Sequence, residues 1–503
     1  MRCLICCILL LLALSSRARA EETLRWIRDG HPTPQALALI DILRDAEAKG
    51  LDANEYDGPV WAGRLDALAR APGEPAAFTR FDAALTEAAF RYSSDLTRGR
   101  IDPRSVGWQL DRSSAPLDRD QILGTLALTP DVATELNALE TQLPIYRRTL
   151  QMLRVYLDLA RRDVGEPLPA WKRTIVEGDE WEGLATLVQR LVLVGDLAAD
   201  TPVPSRYEGA VVDAVKRFQQ RHGLIPDGEI DRRCARALAV SMRARATQLA
   251  FSLERLRWLP RDLAPPLIVV NIPEFRLRAI ESSAPPLSMK VVVGRAYHHR
   301  TPVFVGSLSS VLFHPPWTVP TDIARKELVP EFTAHPEKME TQNFELIDSS
   351  ESVIPSSPEA LAKAASGQLR LRQRAGPHSA LGGIKLDLPN RNGIYLHDTP
   401  SLGGFAKERR DFSHGCIRLE NALALARWAL RSTPEWPTER IDEAVEGEET
   451  LRATLAKAIP VLILYNTAIV TESGDAQFFE DLYRADARLA RALAGAGHPA
   501  PAP

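Results

Sequence analysis

The sequence predicts a multidomain α+β protein: a helical N-terminal scaffold, a small three-helix module, and a mostly β domain with a lid-like insertion. Three observations predict it. Residues 34–49, 81–95 and 143–162 carry apolar residues at three- and four-residue spacing with charges between, the pattern of amphipathic helices. Pro260 and the Pro265-Pro266 pair then break the chain. Beyond them, residues 267–272, 275–280, 289–293 and 302–308 are short β-rich runs separated by Pro, Gly and Ser. A chain of 503 residues is also too long for a single core.

Taken in order, residues 1–20 read as an export signal. Arg2 gives the positive start, residues 4–14 are an unbroken apolar run, and Ala18-Arg19-Ala20 is a small-x-small cleavage site. The run is short for a bilayer span. An uncleaved anchor is the main alternative; a lipoprotein lacks the cysteine it needs at the end of the run. Residues 21–178 are expected to form the helical scaffold and residues 179–245 the small module. In the module, residues 184–193 form one helix, and residues 210–222 a second with Val211, Ala214, Val215 and Phe218 on one face. Gly223 closes the second helix, Pro226-Asp227-Gly228 turns, and Asp231 caps a third over residues 232–240.

Residues 246–265 read as a connecting helix and linker, and residues 266–485 as the β domain. Further strands are expected at 311–313 and 394–396, a helix at 421–431, and a last strand pair from 461–465 and 468–471. Within this domain, residues 321–383 form a long polar insertion, either a capping lid or a surface excursion. Residues 486–503 are assigned to a C-terminal helix, part of a helical run over 478–494, and a Pro-Ala-rich disordered tail.

Composition excludes some functions. A net charge of -3, an aromatic content of 6% and the lack of a basic block argue against nucleic acid as partner. No later run reaches transmembrane length, so the mature protein is expected outside the cytoplasm with no integral membrane segment. Of five cysteines, Cys3, Cys6 and Cys7 fall in the signal, leaving Cys234 and Cys416. These two can form one disulfide in an exported protein. They lie in regions of different character, however, and a reactive thiol at Cys416 carries more weight.

The chemistry-bearing stretch is Tyr395-Leu396-His397-Asp398 followed by Ser413-His414-Gly415-Cys416-Ile417-Arg418. A thiol becomes a nucleophile when an imidazole or nearby amides favour its thiolate. Gly415 permits a tight turn whose amides can converge on an oxyanion. Arg418 adds positive potential. An inert core cysteine and a zinc site built from the two histidines and Cys416 are the competing readings. The spacing matches no common zinc motif and offers only Asp398 as a fourth ligand, so no metal is expected.

His397, fifteen intervening residues, then Ser413-His414-Gly415-Cys416 with Ile417 and Arg418 resembles the signature of the YkuD-type L,D-transpeptidases. Trp317-Thr318-Val319-Pro320, Ala380-Leu381-Gly382-Gly383-Ile384-Lys385 and His397-Asp398-Thr399-Pro400 resemble segments of their larger Gram-negative members. Phe218-Gln219, Gly223-Leu224, Asp227-Gly228 and Ile230-Asp231 resemble a peptidoglycan-binding domain, and Arg98-Gly99-Arg100-Ile101-Asp102-Pro103 the scaffold of that class. His314, Ser379 and Cys234 depart from the pattern, standing where Asn, Asn and Thr are usual.

The resemblance implies a periplasmic enzyme without cofactor that joins two diaminopimelate residues in a 3-3 cross-link. Donor tetrapeptide stems and an acceptor diaminopimelate amine would be its partners and carbapenems its inhibitors. Cys416 would be the nucleophile and His397 its base. His414 would stabilise the site, and the amides around Gly415 and Cys416 would hold the oxyanion, with Tyr395 as a possible extra donor. Arg418, Tyr395, Ser413 and Trp317 are expected along the substrate groove. The same thioester would also serve an L,D-carboxypeptidase or D-amino-acid exchange; a non-catalytic wall-binding protein is the alternative of another class.

Overall fold

The computed structural model describes residues 24–110, 117–163, 166–169, 173–376 and 378–495. The expected signal (1–20) and the tail from 498 lie outside them. The chain divides into two compact units. One holds the residues up to Asp262 together with those from Asn466 onward, the other Leu263–Tyr465. The catalytic-type domain, expected to run to residue 485, therefore ends near Tyr465.

In the first unit, helices Pro34–Arg44, Trp61–Arg70, Pro75–Arg98, Arg119–Leu128 and Val132–Ala138 enclose one apolar core that includes Leu39, Leu43, Phe78, Phe81 and Leu85. Thr33 starts the first of these helices by accepting the Ala36 N–H, with Pro34 in the first turn, where its missing N–H costs nothing. Gly99 ends helix Pro75–Arg98 at φ +76°, where a Cβ would meet the Trp258 indole nitrogen at 2.5 Å. The next amides, Arg100 and Ile101, donate to Glu254 Oε1 at 2.6 and 3.3 Å. The Arg-Gly-Arg-Ile segment thus fastens the scaffold to helix Met242–Arg257.

That helix packs on Pro144–Arg162 and buries Leu249, Leu253 and Leu256. The expected connecting helix is present, and it is a core element of the unit. The pairing expected between 461–465 and 468–471 does not form. Ala468–Val470 pairs with Ala476–Phe478 in its own hairpin, and the C-terminal helix begins at Ala485, not near 478.

The small module has the three expected helices, Leu184–Leu193, Ala210–Arg221 and Arg232–Leu238, around a separate core. Cys234 is buried in it. Gln219, 2% exposed, organises the Pro-Asp-Gly turn. Its amide donates to Asp227 Oδ1 and to the Glu229 carbonyl, both at 2.8 Å, and its Oε1 accepts the Gly228 N–H at 2.8 Å.

The second unit is built on nine strands: β1 Leu267–Asn271, β2 Arg276–Ile280, β3 Leu287–Gly294, β4 Phe304–Phe313, β5 Ile384–Asp387, β6 Leu396–His397, β7 Asp411–Ser413, β8 Ile417–Leu419 and β9 Leu451–Leu464. Their order is β7-β3-β8-β6-β5-β4-β9-β1-β2, and β2 also pairs with β3, so eight strands close on themselves with β7 attached outside. The expected strands at 302–308 and 311–313 are one continuous β4. β9 starts ten residues before the expected 461 and crosses a register shift between Thr454 and Ile459. His314 has φ 45°, a conformation that Asn tolerates better than most residues, and donates its amide to the Gly383 carbonyl at 2.8 Å.

The insertion 321–383 is itself folded. Trp317–Thr318, Arg370–Gln373, Phe344–Ile347 and Val353–Ile354 make a four-stranded antiparallel sheet. Short helices, among them Pro358–Ser366, pack with it around Phe332, Phe344, Leu346 and Leu371. Its polar sequence reflects a small core with a large surface.

Gln219→Leu takes the partner from the buried Gly228 amide and removes two further hydrogen bonds of the turn. It should lower stability by about 2 kcal/mol, read as an earlier thermal unfolding transition of the full chain.

Candidate active site

The site is laid out by two short parallel strands. β6 and β8 pair with Leu396 opposite Ile417 and His397 opposite Arg418, and β5 adds Lys385 opposite His397. Facing residues of paired strands share a side of the sheet. Leu386, Leu396 and Ile417 are accordingly fully buried on one side, while Lys385, His397 and Arg418 line up on the other. The Ile417 amide donates to the Tyr395 carbonyl at 3.1 Å, which brings Tyr395 level with Cys416.

Cys416 carries a free, half-buried thiol. Its Sγ lies 3.6 Å from the Gly393 carbonyl. The Tyr395 amide and hydroxyl favour the thiolate of Cys416, and the Trp317 indole favours the ionised form of the Tyr395 phenol. Lys385 Nζ sits 4.5 Å from the centre of the Tyr395 ring. Burial pushes the Cys416 thiol up; the Tyr395 donors and the charges of Lys385 and Arg418 pull against it without cancelling it. Burial also raises the Tyr395 phenol, and the neighbouring sulfur adds to the effect, so the hydroxyl keeps its proton and stays a donor.

The loop before Cys416 is held from within. Ser413, 2% exposed, donates from Oγ to the Cys416 carbonyl at 2.6 Å and accepts the Gly415 N–H at 3.1 Å. Buried Thr301 donates to the Gly415 carbonyl at 2.7 Å. Gly415 has φ +121°, and a Cβ there would come 3.3 Å from Ile394 Cδ1. The Gly415 amide, expected at the oxyanion, is taken by Ser413, and the Ser413 hydroxyl, expected along the groove, is engaged within the turn. The Cys416 amide has no acceptor among the described residues.

His397 is 4% exposed and its ring lies 5.6 Å from that of Tyr395. Nδ1 is 2.6 Å from the Asp398 carbonyl, an obligate acceptor, so Nδ1 carries the proton and Nε2 holds the lone pair. Burial, with Arg418 nearby, depresses the imidazole to about 3, although the carbonyls of Asp398 and Leu381 act in the opposite sense. His397 is therefore neutral at physiological pH. The Asp398 carboxylate does not orient the ring; it accepts the Gly383 N–H at 2.9 Å and caps that turn. The backbone carbonyl of the same residue does the orienting.

His414 faces the insertion. Nε2 is 2.8 Å from Glu327 Oε1, and its ring is 4.7 Å from that of His299. Arg418 makes no ion pair among the described residues, and burial together with Arg295 lowers its affinity for a proton. Trp317 is half-buried and belongs both to the site, through Tyr395, and to the insertion, through its strand pairing and its edge contact with Phe344.

Sequence reasoning gave no site role to Gly393, Thr301, Lys385, His299 or Glu327. Only the segment 390–394 carried a local signal. Asn390 Oδ1 accepts the Asn392 and Ile394 amides, the turn that an Asn-x-Asn-Gly string favours, and this delivers the Gly393 carbonyl to the sulfur.

Residues 265–438 match the L,D-transpeptidase catalytic domain of the YkuD family, residues 18–153 a scaffold domain, and residues 182–238 a domain described as "Putative peptidoglycan binding domain". Residues 265–438 are thus similar to a YkuD-type L,D-transpeptidase catalytic domain, and the residues that precede them in sequence to a scaffold and a peptidoglycan-binding-type module. A Haemophilus influenzae protein named "Putative L,D-transpeptidase" is 33% identical over 243 residues, 48% of this chain and 48% of that protein. The match thus spans about half the length of this relative. The L,D-transpeptidase structure (residues 123–326) from Xylanimonas cellulosilytica aligns over 59% of this chain and all of its own, at 14% identity and a TM-score of 0.19.

Two outcomes follow. Tyr395→Phe removes a donor to the thiolate and should slow iodoacetamide alkylation of Cys416 at pH 7.5 by about tenfold, moving the pH–rate curve to higher pH. Gly415→Ala forces a side chain into a backbone conformation reserved for glycine and should cost about 1–3 kcal/mol, measured by thermal unfolding.

Proposed function

We propose that this chain is an exported peptidoglycan L,D-transpeptidase that forms 3-3 cross-links through a thioester on Cys416. The observation that carries the reading is the half-exposed Cys416 thiol held among Tyr395, Lys385 and Arg418, on the same sheet face as a neutral imidazole. An inert core cysteine has no such donors.

His397 is the base. With the imidazole low and the thiol high, the resting pair is uncharged, so the proton moves to Nε2 as Sγ attacks and not beforehand. The attacked carbon is the diaminopimelate carbonyl at the third position of a tetrapeptide stem. The Cys416 amide supports the oxyanion, while the Tyr395 hydroxyl supports the sulfur. Collapse expels D-alanine, which leaves with the proton from His397, and the thioester remains. The side-chain amine of a second stem then attacks the thioester carbon, its proton passes to His397, and the thiol is restored. No metal or cofactor enters this sequence. Arg418, which pairs with no carboxylate among the described residues, binds a stem carboxylate. Ser413 and His414 position the nucleophile loop, and Trp317 holds Tyr395 at the groove wall.

The small module and the proposed cell-wall substrate support a periplasmic location. Among the described residues no helix is long and apolar enough to cross a membrane.

Muropeptide analysis with purified protein and tetrapeptide substrate tests the reading. Wild type should yield 3-3 dimers, Cys416→Ala none, a loss of at least ~10³-fold, and His397→Ala a loss of about 10²–10⁴-fold. Undiminished cross-linking by Cys416→Ala overturns the mechanism, and products limited to tripeptide or exchanged stems overturn the cross-linking assignment. A carbapenem should add one mass to wild type and none to Cys416→Ala.

A further inference from the structure

We propose that His299, Glu327 and His414 bind one divalent transition-metal ion, of which zinc is the best chemical match, between the capping insertion and the nucleophile loop. The three side chains come from separate parts of the second unit. His299 lies in the connection from β3 to β4, Glu327 in the π-helical turn Ala324–Leu328 of the insertion, and His414 in the loop that carries Cys416. Their ligand atoms, one from each residue, all lie within 4.8 Å of one another. His414 Nε2 is already 2.8 Å from Glu327 Oε1, and the His299 and His414 rings stand 4.7 Å apart at 56°.

Two imidazoles and a carboxylate with an open fourth position are a common zinc donor set, with bonds of about 2.0–2.2 Å. Ligand atoms around such an ion are about 3.3–3.5 Å apart, so the present cluster has to tighten by roughly 1 Å. Rotation of partly exposed side chains supplies that, since the Glu327 side chain is 44% exposed. The same exposure gives an ion a path in. Acting against the cation is the positive charge of Arg295. Glu327 contributes the single negative charge of the set, which points to an affinity short of that of four-ligand structural sites.

The ion is not needed for the thioester chemistry. It ties a residue of the insertion to a residue two positions from the nucleophile, so it fixes the insertion over the loop. The ligand set excludes Cys416, and this separates the site from simple capture of metal by a thiolate.

The test uses tag-free, full-length protein carrying Cys416→Ala, stripped with a chelator and titrated with Zn²⁺ by calorimetry, with Co²⁺ absorption as a second readout of coordination. One equivalent should bind, and His299→Ala and Glu327→Gln, each added to that background, should each weaken binding by at least ~10-fold. Circular dichroism confirms that these surface variants are folded. The absence of saturable binding below ~1 mM, or an affinity that falls in only one variant or in neither, overturns the proposal. Because the nucleophile is absent throughout, the result does not depend on whether the chain cross-links peptidoglycan.

Discussion

The site depends on one constraint, the parallel pairing of β6 with β8. Only two residues of each strand are in register, Leu396 with Ile417 and His397 with Arg418. Each pair puts one side chain pair on either face of the sheet. The apolar pair is driven into the closed interior, and that fixes the polar pair, with Tyr395 and Cys416 one step beyond, on the opposite face. A slip of one residue would bury the charges and expose the leucine, so core packing enforces the alignment of the reactive groups.

Burial sets the reactivity of those groups in opposite directions. It raises the thiol and lowers the imidazole, because both charged forms lose hydration. Tyr395, Lys385 and Arg418 work against the first effect but not enough to leave a thiolate at rest. In the exported setting argued above, a neutral thiol reacts slowly with oxidants and is activated only as its proton is taken. In the proposed mechanism the base must then act in the same event as the attack. The Asp398 carbonyl on Nδ1 fixes the tautomer that allows it.

The insertion completes the site. Trp317 opens the insertion's sheet and reaches Tyr395, and Glu327 reaches His414. Two of the groups that hold the nucleophile loop and its tyrosine therefore belong to a small subdomain with its own core. Movement of that subdomain would change the donors around the sulfur as well as access to it.

Local pattern alone was enough for the long helices of the first unit, the three-helix module and the β character of residues 267–313, and it named Cys416 and His397 as candidates, because apolar spacing and a long specific motif are written along the chain. Gly415, too, was legible as a turn residue. Other features were settled by contacts between distant segments. The amide of Gly415 is spent on Ser413, the Asp398 carboxylate caps a turn while its carbonyl orients His397, and the strand expected at 461 starts at 451 because β4 is there to pair with it. Residues 466–495 pack with the first unit although they follow the β domain in sequence. The joining of His299, Glu327 and His414 had no local signal at all. The physical reason is common to these cases: spacing records which face a residue occupies, whereas a hydrogen-bond partner is fixed only when the closed sheet and the folded insertion bring remote backbone and side chains within about 3 Å.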